Sequence, residues 1–415
     1  MVVWYGTAVD DRRDGTSFAD KLYGRAGNDI LRGLAGDDVL FGEAGDDTLD
    51  GGLGTDKLDG GSGTDTASYA DAGGAVRVSL ALTGFQNTGA AGWDQLTSIE
   101  NLVGGRFNDR LAGNALNNRL DGGDGDDVLD GGAGDDHLLG GTGANTLYGG
   151  AGNDRLEAAF GPPGSFTQMH GGPGDDTYVL PFDWPWYDPD EGHGYYFHEK
   201  AGEGADWIEF NSNPGGAMTL DDPMFANIEN IRINVGSTVF GNAGANEVRG
   251  SGGWDTIIGM AGNDRLFGNN GDDEINGDGW NGETDIVGND DINGGGGYDL
   301  LEGGPGADRY WYFRASDAPG DRIAEGVMDF AVVRPEEGDK IAFGVFDANL
   351  TLSGTQRFVF AGEGAAPKAG QLTYYHDEFG NRTYLVGNTD GDATVEFAVE
   401  IPFPLTITPD LFIYA

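Results

Sequence analysis

The chain has 415 residues, of which 77 are glycine and none is cysteine, and its 70 acidic against 23 basic residues leave a net charge of −47. That charge repels nucleic acid and anionic membranes and attracts cations. The lack of cysteine excludes disulfides and thiolate metal sites, and no run of about 18 apolar residues is present to span a membrane as a helix.

Residues 1–14, MVVWYGTAVDDRRD, read as a lead. It has no basic start ahead of an apolar run, so a Sec-type signal peptide is not expected. A nine-residue phrase then takes over in a first block, 15–68: two glycines, any residue, glycine, any residue, aspartate, any residue, an aliphatic, any residue. Its sixth place falls at Asp20, Asp29, Asp38, Asp47, Asp56 and Asp65, and its eighth at Leu22, Leu31, Leu40, Leu49 and Leu58. Residues 69–103 form a connector that ends in the phrase I-E-N-L. The second block, 104–179, carries Asp109, Asn118, Asp127, Asp136, Asn145, Asp154 and, after a short insertion, Asp176.

A second connector, 180–240, holds a stretch, 204–231, that also ends in I-E-N followed by an aliphatic, and it contains an aromatic-rich insertion with Trp184, Trp186, Tyr187, Tyr195 and Tyr196. These rings either pack over the end of a repeat array or form an exposed platform that stacks on sugars. The third block, 241–311, carries Asn246, Asp255, Asp264, Asp273, Asp290, Asp299 and Asp308, with an irregular stretch at 277–293 that is expected to break the register. Beyond residue 312 the glycine phrase fades and aromatic residues rise.

The repeat has a direct physical reading. Glycines open backbone angles closed to other residues and so make a tight turn. The last three places form a short strand whose middle aliphatic alone points inward. One nonapeptide cannot bury anything by itself, so copies must stack to form a continuous core. If alternate copies stack as parallel strands, neighbouring coils lie about 4.8 Å apart. A cation midway would lie about 2.4 Å from oxygens on both sides, a distance that suits calcium and is too long for magnesium. Asp29 would then face Asp47, and Asp38 would face Asp56.

These residues resemble the repeats-in-toxin (RTX) family, whose nonapeptide is G-G-x-G-x-D-x-aliphatic-x. The resemblance implies an all-β fold: a right-handed parallel β-roll in three blocks, with β connectors and a C-terminal β domain, holding roughly a dozen calcium ions between stacked turns. Asn118, Asn145 and Asn246 keep an oxygen but lose the charge, so their sites should be weaker. From RYWYF at 309–313 onward, through AGQLTYY, NTDGDATVEF and the final DLFIYA, the chain resembles the C-terminal domain of serralysin-type secreted proteases, with the domain itself set at 312–415. That implies a cap on the roll and a type I export signal, with Asp410 followed by Leu411, Phe412 and Ile413. Asp390 and Asp392 are candidates for one more calcium.

No catalytic motif accompanies this tail. H-E-x-x-H is absent, because His198 and Glu199 are followed by Gly202 where the second histidine belongs. His193, His198, Asp188, Asp190 and Glu199 show no diagnostic zinc spacing, and no G-x-S-x-G elbow occurs. Repeats that start by residue 15 are expected to leave no room for a catalytic domain ahead of them. The sequence therefore predicts a non-enzymatic, extracellular calcium-binding protein with a structural or adhesive role, exported by type I machinery. Expected partners are calcium ions, that machinery, and polysaccharide or cell-surface components. The alternatives are a polysaccharide-binding module built on the aromatic insertion and an enzyme with an unfamiliar site in 158–240.

Overall fold

The computed structural model of the chain describes residues 1–159, 165–181, 194–211, 217–279, 286–313, 329–343, 357–364, 366–377, 379, 381–389 and 397–414. Regular structure among them is almost entirely short β-strand, with brief 3-10 turns at Pro223–Phe225 and Pro409–Leu411. The chain divides into two units, the first holding nearly all described residues up to Ile208 and the second nearly all from Glu209 onward.

In the first unit successive strands fall on alternate sides of a roll. Lys21–Ala26, Val39–Ala44 and Lys57–Ser62 pair in parallel on one side. Ile30–Arg32, Thr48–Asp50 and Thr66–Ser68 do so on the other. The register joins residues eighteen apart, Leu22 to Leu40 to Leu58 and Leu31 to Leu49. Every nonapeptide therefore stacks on the next but one, because each copy crosses from one side of the roll to the other. The eighth-place leucines, including Leu22, Leu31, Leu40, Leu49, Leu111, Leu120, Leu129, Leu138, Leu147 and Leu156, are 0% exposed and form the core. Burying each contributes about 1.5–3 kcal/mol.

The residues expected as a lead and a connector belong to this roll. Val3–Tyr5 pairs with Lys21–Tyr23, and Arg12–Asp14 with Ile30–Arg32. Within 69–103, Trp93–Thr97 extends the sheet of Lys57–Ser62, and Arg77–Ser79 starts the sheet of Arg110–Ala112. Asn101–Val103 lies between Thr66–Ser68 and Arg119–Asp121 and pairs with both. The connector thus carries the stack through without interruption, since a parallel ladder needs only a short strand in register, whatever loop delivers it.

The second unit repeats the plan. Thr238–Phe240, Thr256–Ile258, Glu274–Asn276 and Leu300–Glu302 pair in parallel. Opposite them run Glu247–Arg249, Arg265–Asn270, Asp291–Gly296, Arg309–Tyr312 and Lys340–Phe343. The first of these sheets then turns antiparallel through Phe397–Ile401, Thr383–Asn388 and Gln371–His376. Phe343, Phe358, Phe397 and Tyr312 pack edge-on or tilted at 5.1–6.5 Å and close this end. The final strand, Phe412–Tyr414, pairs in parallel with Ile341–Phe343.

Candidate metal sites in the stacked turns

Between strands the chain makes a six-residue turn that ends on the sixth-place acid. That side chain is buried although nothing basic accompanies it: Asp29, Asp38, Asp47 and Asp56 are each 0–1% exposed. One oxygen, Oδ1, reaches down the stack and accepts the backbone N–H of the acid eighteen residues earlier. Asp38 does so from Asp20 at 2.6 Å, Asp47 from Asp29 at 2.7 Å, Asp56 from Asp38 at 2.8 Å and Asp65 from Asp47 at 2.8 Å. Asp127, Asp136 and Asp264 repeat the contact at 2.7–2.8 Å.

The other oxygen, Oδ2, divides the turns into two kinds. At fourteen sixth-place aspartates it is buried and has no hydrogen-bond partner. Five lie in the first block (Asp29, Asp38, Asp47, Asp56, Asp65), four in the second (Asp127, Asp136, Asp154, Asp176) and five in the third (Asp264, Asp273, Asp290, Asp299, Asp308). At the remaining turns a donor meets it. The second-place N–H binds the acid at Asp11 and Asp20 (2.6 Å from Thr7 and Thr16), at Asp109 (2.6 Å from Gly105) and at Asp255 (2.7 Å from Ser251). The same N–H binds the amide oxygen of Asn118 and Asn246, at 2.8 Å from Asn114 and Asn242. These six are the two opening turns of each block.

The backbone of the second place tracks this division. At thirteen of the fourteen turns with a free oxygen it is left-handed, including three non-glycines in the first block, Arg25, Leu34 and Glu43, at φ of 75–83°. A left-handed non-glycine costs about 1–2 kcal/mol, so this conformation is held by its surroundings. It leaves the carboxylate with no second-place N–H, the arrangement a cation would complete and an uncharged turn would not. Asn145 shows the complementary case. Gly141 before it is left-handed (φ 74°), and the Asn145 amide nitrogen donates to the Gly141 carbonyl at 2.9 Å. Of the expected ligands, Asp20, Asp109, Asn118, Asn145, Asn246 and Asp255 thus offer no unpartnered buried side-chain oxygen.

Electrostatics follow the same line. Burial pushes Asp38 and Asp65 up to about 6. It pushes Asp56, Asp127 and Asp136 to about 7, and Asp264 and Asp273 to about 8, with neighbouring aspartates adding to the rise. In Asp20 burial is outweighed by hydrogen bonds from Val2 and from the hydroxyl and amide of Thr16, which hold the carboxyl below its usual value.

Stacking also explains the fourth-place glycine. A Cβ on Gly54, at φ +153°, would lie 1.8 Å from the carbonyl oxygen of Gly36 in the turn below.

Several turn acids escape a search for the full phrase. Asp94 accepts from Asp56 N at 3.2 Å, Asp206 from Asp176 N at 2.8 Å and Asp339 from Asp308 N at 3.1 Å. Their turns, GAAGWDQL, AGEGADWI and PEEGDKIA, each keep a glycine one or two places before the acid and an aliphatic two places after it. The I-E-N phrase has a role as well: Glu100 occupies the sixth place and accepts from Asp65 N at 2.8 Å.

The irregular stretch 277–293 does not break the register. Asp290 accepts from Asp264 N at 2.8 Å, and Asp308 from Asp290 N at 2.9 Å. Asp278, ahead of Asp290 in this stretch, is 1% exposed and lies beside Asp290 and Asp308 with neither carboxylate oxygen hydrogen-bonded.

Among the aromatic candidates, Tyr195 and Tyr196 are adjacent on the strand Gly194–Phe197, so they face opposite sides. Tyr196 is 44% exposed and tilts against Phe166 at 5.7 Å, while burial pushes Tyr195 up to about 12. These two rings therefore do not make one platform. Trp184, Trp186, Tyr187, Asp390 and Asp392 lie outside the described residues.

A family model of the RTX calcium-binding nonapeptide repeat (4 copies) matches residues 5–40, 32–67, 103–138, 130–162, 237–264, 249–279 and 287–312. No curated protein matches the chain. Among solved structures, a subunit of the mannuronan C5-epimerase of Azotobacter vinelandii, determined in solution, is 21% identical over 42% of this chain and 80% of that one, with a TM-score of 0.21. Tandem RTX calcium-binding nonapeptide repeats thus run through all three blocks of this parallel β-roll.

Proposed function

We propose that this chain is a secreted protein that folds when it meets extracellular calcium and then serves as a structural or adhesive element at the cell surface or in the matrix. The observation that carries the reading is the set of fourteen buried carboxylate oxygens without a partner. A buried unpaired carboxylate is costly, and a stack of them in a chain of net charge −47 opposes its own compaction. Calcium, with its 6–8 oxygen ligands, offsets both costs. Asp29, Asp38, Asp47, Asp56, Asp65, Asp127, Asp136, Asp154, Asp176, Asp264, Asp273, Asp290, Asp299 and Asp308 are the proposed ligands, for roughly a dozen ions. The opening turns, closed by backbone N–H groups, begin each block without one.

Extracellular modules bind calcium at about 0.1–1 mM, so the chain would stay expanded where calcium is scarce. Such a state suits export through type I machinery. Asp410, Leu411, Phe412 and Ile413 would serve as the signal before Phe412–Tyr414 joins the roll. The carboxylates are committed to the turns, and we read the protein as non-enzymatic. Equilibrium dialysis against calcium tests the ligand set. Roughly a dozen ions per chain, with magnesium unable to replace them, supports it; one or two ions would overturn it. Chelator washing tests the location. Release of the protein from cells as an expanded chain is expected, and retention after calcium is removed would contradict the surface role.

A further inference from the structure

We propose that Asp176, Glu199 and Asp206 form a calcium site of different make from the others, in which a carboxylate from outside the nonapeptides joins those of two stacked turns. This rests on the reading that the turns bind calcium. Asp176 closes the last regular turn of the second block, and its N–H donates to Asp206 Oδ1 at 2.8 Å. Glu199 follows the strand Gly194–Phe197, which stacks on Phe166–Met169. The three side chains each offer an oxygen within 4.8 Å of the other two. Their exposures are 0%, 9% and 1% in the order named.

Two of these oxygens, Asp176 Oδ2 and Glu199 Oε2, are buried and have no hydrogen-bond partner. The rest of Glu199 is fixed. Tyr178 hydrogen-bonds to Oε1, Gly171 N–H approaches the same oxygen at 3.2 Å, and Asn227 Nδ2 donates to the Glu199 carbonyl at 3.0 Å. Gly171 N–H also donates to the Tyr178 hydroxyl at 2.7 Å, so the tyrosine directs its own proton to Glu199. Oε1 is therefore an acceptor, which leaves Oε2 as the free oxygen. Three buried acids then converge with no positive side chain among them, and a divalent cation supplies the missing charge.

The end of the third block is built differently. There Asp308 N–H donates to Asp339 Oδ1 at 3.1 Å, and the Tyr310 hydroxyl accepts from Gly303 N–H at 2.8 Å, as Tyr178 does from Gly171. The residue that completes this end is Arg334. Its guanidinium binds the Gly304 carbonyl at 3.1 Å and Glu302 at 3.0 Å, and its backbone N–H donates to Asp339 Oδ2 at 2.6 Å. At one block end a backbone N–H closes the second oxygen of the last acid, and at the other a third buried carboxylate joins the pair, which calls for a cation.

Ligand charge count tunes calcium affinity, so this site should hold the tightest ion of the second block. The test is calcium binding to the full chain in chelator-buffered solution, comparing Glu199→Gln with Asp38→Asn, a change in an ordinary turn. Glu199→Gln should weaken the tightest ion by at least the roughly 10–100-fold that loss of a mere outer-shell partner costs, and leave the other ions unchanged. Asp38→Asn should remove an ion from the weaker class. If Glu199→Gln fails to fold, Glu199→Asp, which keeps the charge but withdraws it by one methylene, should fold and show the same loss. Unchanged counts and affinities in the Glu199 variants, with Asp38→Asn still losing an ion, would overturn this site alone and leave a neutral acid hydrogen-bonded to Asp176. No bound calcium in any of the proteins would instead overturn the reading on which it rests.

Discussion

Asp20 and Asp38 occupy the same place in stacked turns eighteen residues apart, yet replacing each by asparagine should have opposite signatures. Asp20 accepts from Val2 N–H, from Thr16 N–H at 2.6 Å and from the Thr16 hydroxyl at 2.8 Å, so both of its oxygens are satisfied by donors. Asp38 accepts from Asp20 N–H at 2.6 Å and keeps Oδ2 buried and unpartnered. In saturating calcium Asp38→Asn should lose one ion. At tenfold excess over the dissociation constant an ion contributes about 1.4 kcal/mol, which is roughly 3–6 °C in melting temperature for a unit of this size. In chelator, with sulfate added to hold the fold, the same change removes a buried uncompensated charge and should raise the melting temperature. Asp20→Asn presents an N–H to donors and loses charge-assisted bonds, costing about 1–3 kcal/mol in both conditions, with the ion count unchanged. Scanning calorimetry and calcium counts on the two variants check this. The reasoning is refuted if Asp38→Asn destabilises equally with and without calcium, or if Asp20→Asn loses an ion.

Gly54→Ala forces a left-handed alanine whose Cβ lies 1.8 Å from the Gly36 carbonyl. It should cost about 3 kcal/mol or more in urea unfolding, while Gly84→Ala, with nothing within 4 Å of the new Cβ, should change little. The raised carboxyls set a pH dependence for the calcium-free chain. Their folded values of about 6–8 lie above the unfolded value of about 3.9. Their stabilising contribution is therefore complete below that unfolded value and lost as pH rises through about 6–8. Circular dichroism in chelator should show β structure appearing on acidification, whereas a signal independent of pH would contradict the buried-carboxylate account. Deleting residues 360–415 should trap the protein inside a host that carries a type I exporter, and normal secretion of the truncated chain would rule the signal out.

The regular blocks were legible because each nonapeptide repeats the same three constraints. The eighth-place leucines must face inward, and they are 0–1% exposed from Leu22 to Leu156. Alternate copies must stack, and Asp29 meets Asp47, and Asp38 meets Asp56, through bonds of 2.7 and 2.8 Å. Legibility failed where only part of the phrase is kept. The stack tolerates a loop of any length between a turn and its strand, so the turns of Asp94 and Asp206 have lost their even spacing but not their place in the ladder. The lead failed for a related reason: Thr7 and Thr16 stand where the second glycine belongs, and their N–H groups close the opening turns. Which turns keep a free oxygen depends on the hand of one backbone residue. Arg25, Leu34 and Glu43 adopt the left-handed form that their side chains disfavour, so residue type alone does not reveal it.

The central claim is that calcium in the turns is what permits this chain to fold. The most direct measurement is circular dichroism of the full chain at neutral pH and low salt, titrated with calcium from chelator and repeated with magnesium. The account predicts an expanded coil in chelator, a cooperative rise of β structure as calcium approaches the millimolar range, and little response to magnesium at the same concentrations. A chain already fully folded in chelator would contradict it.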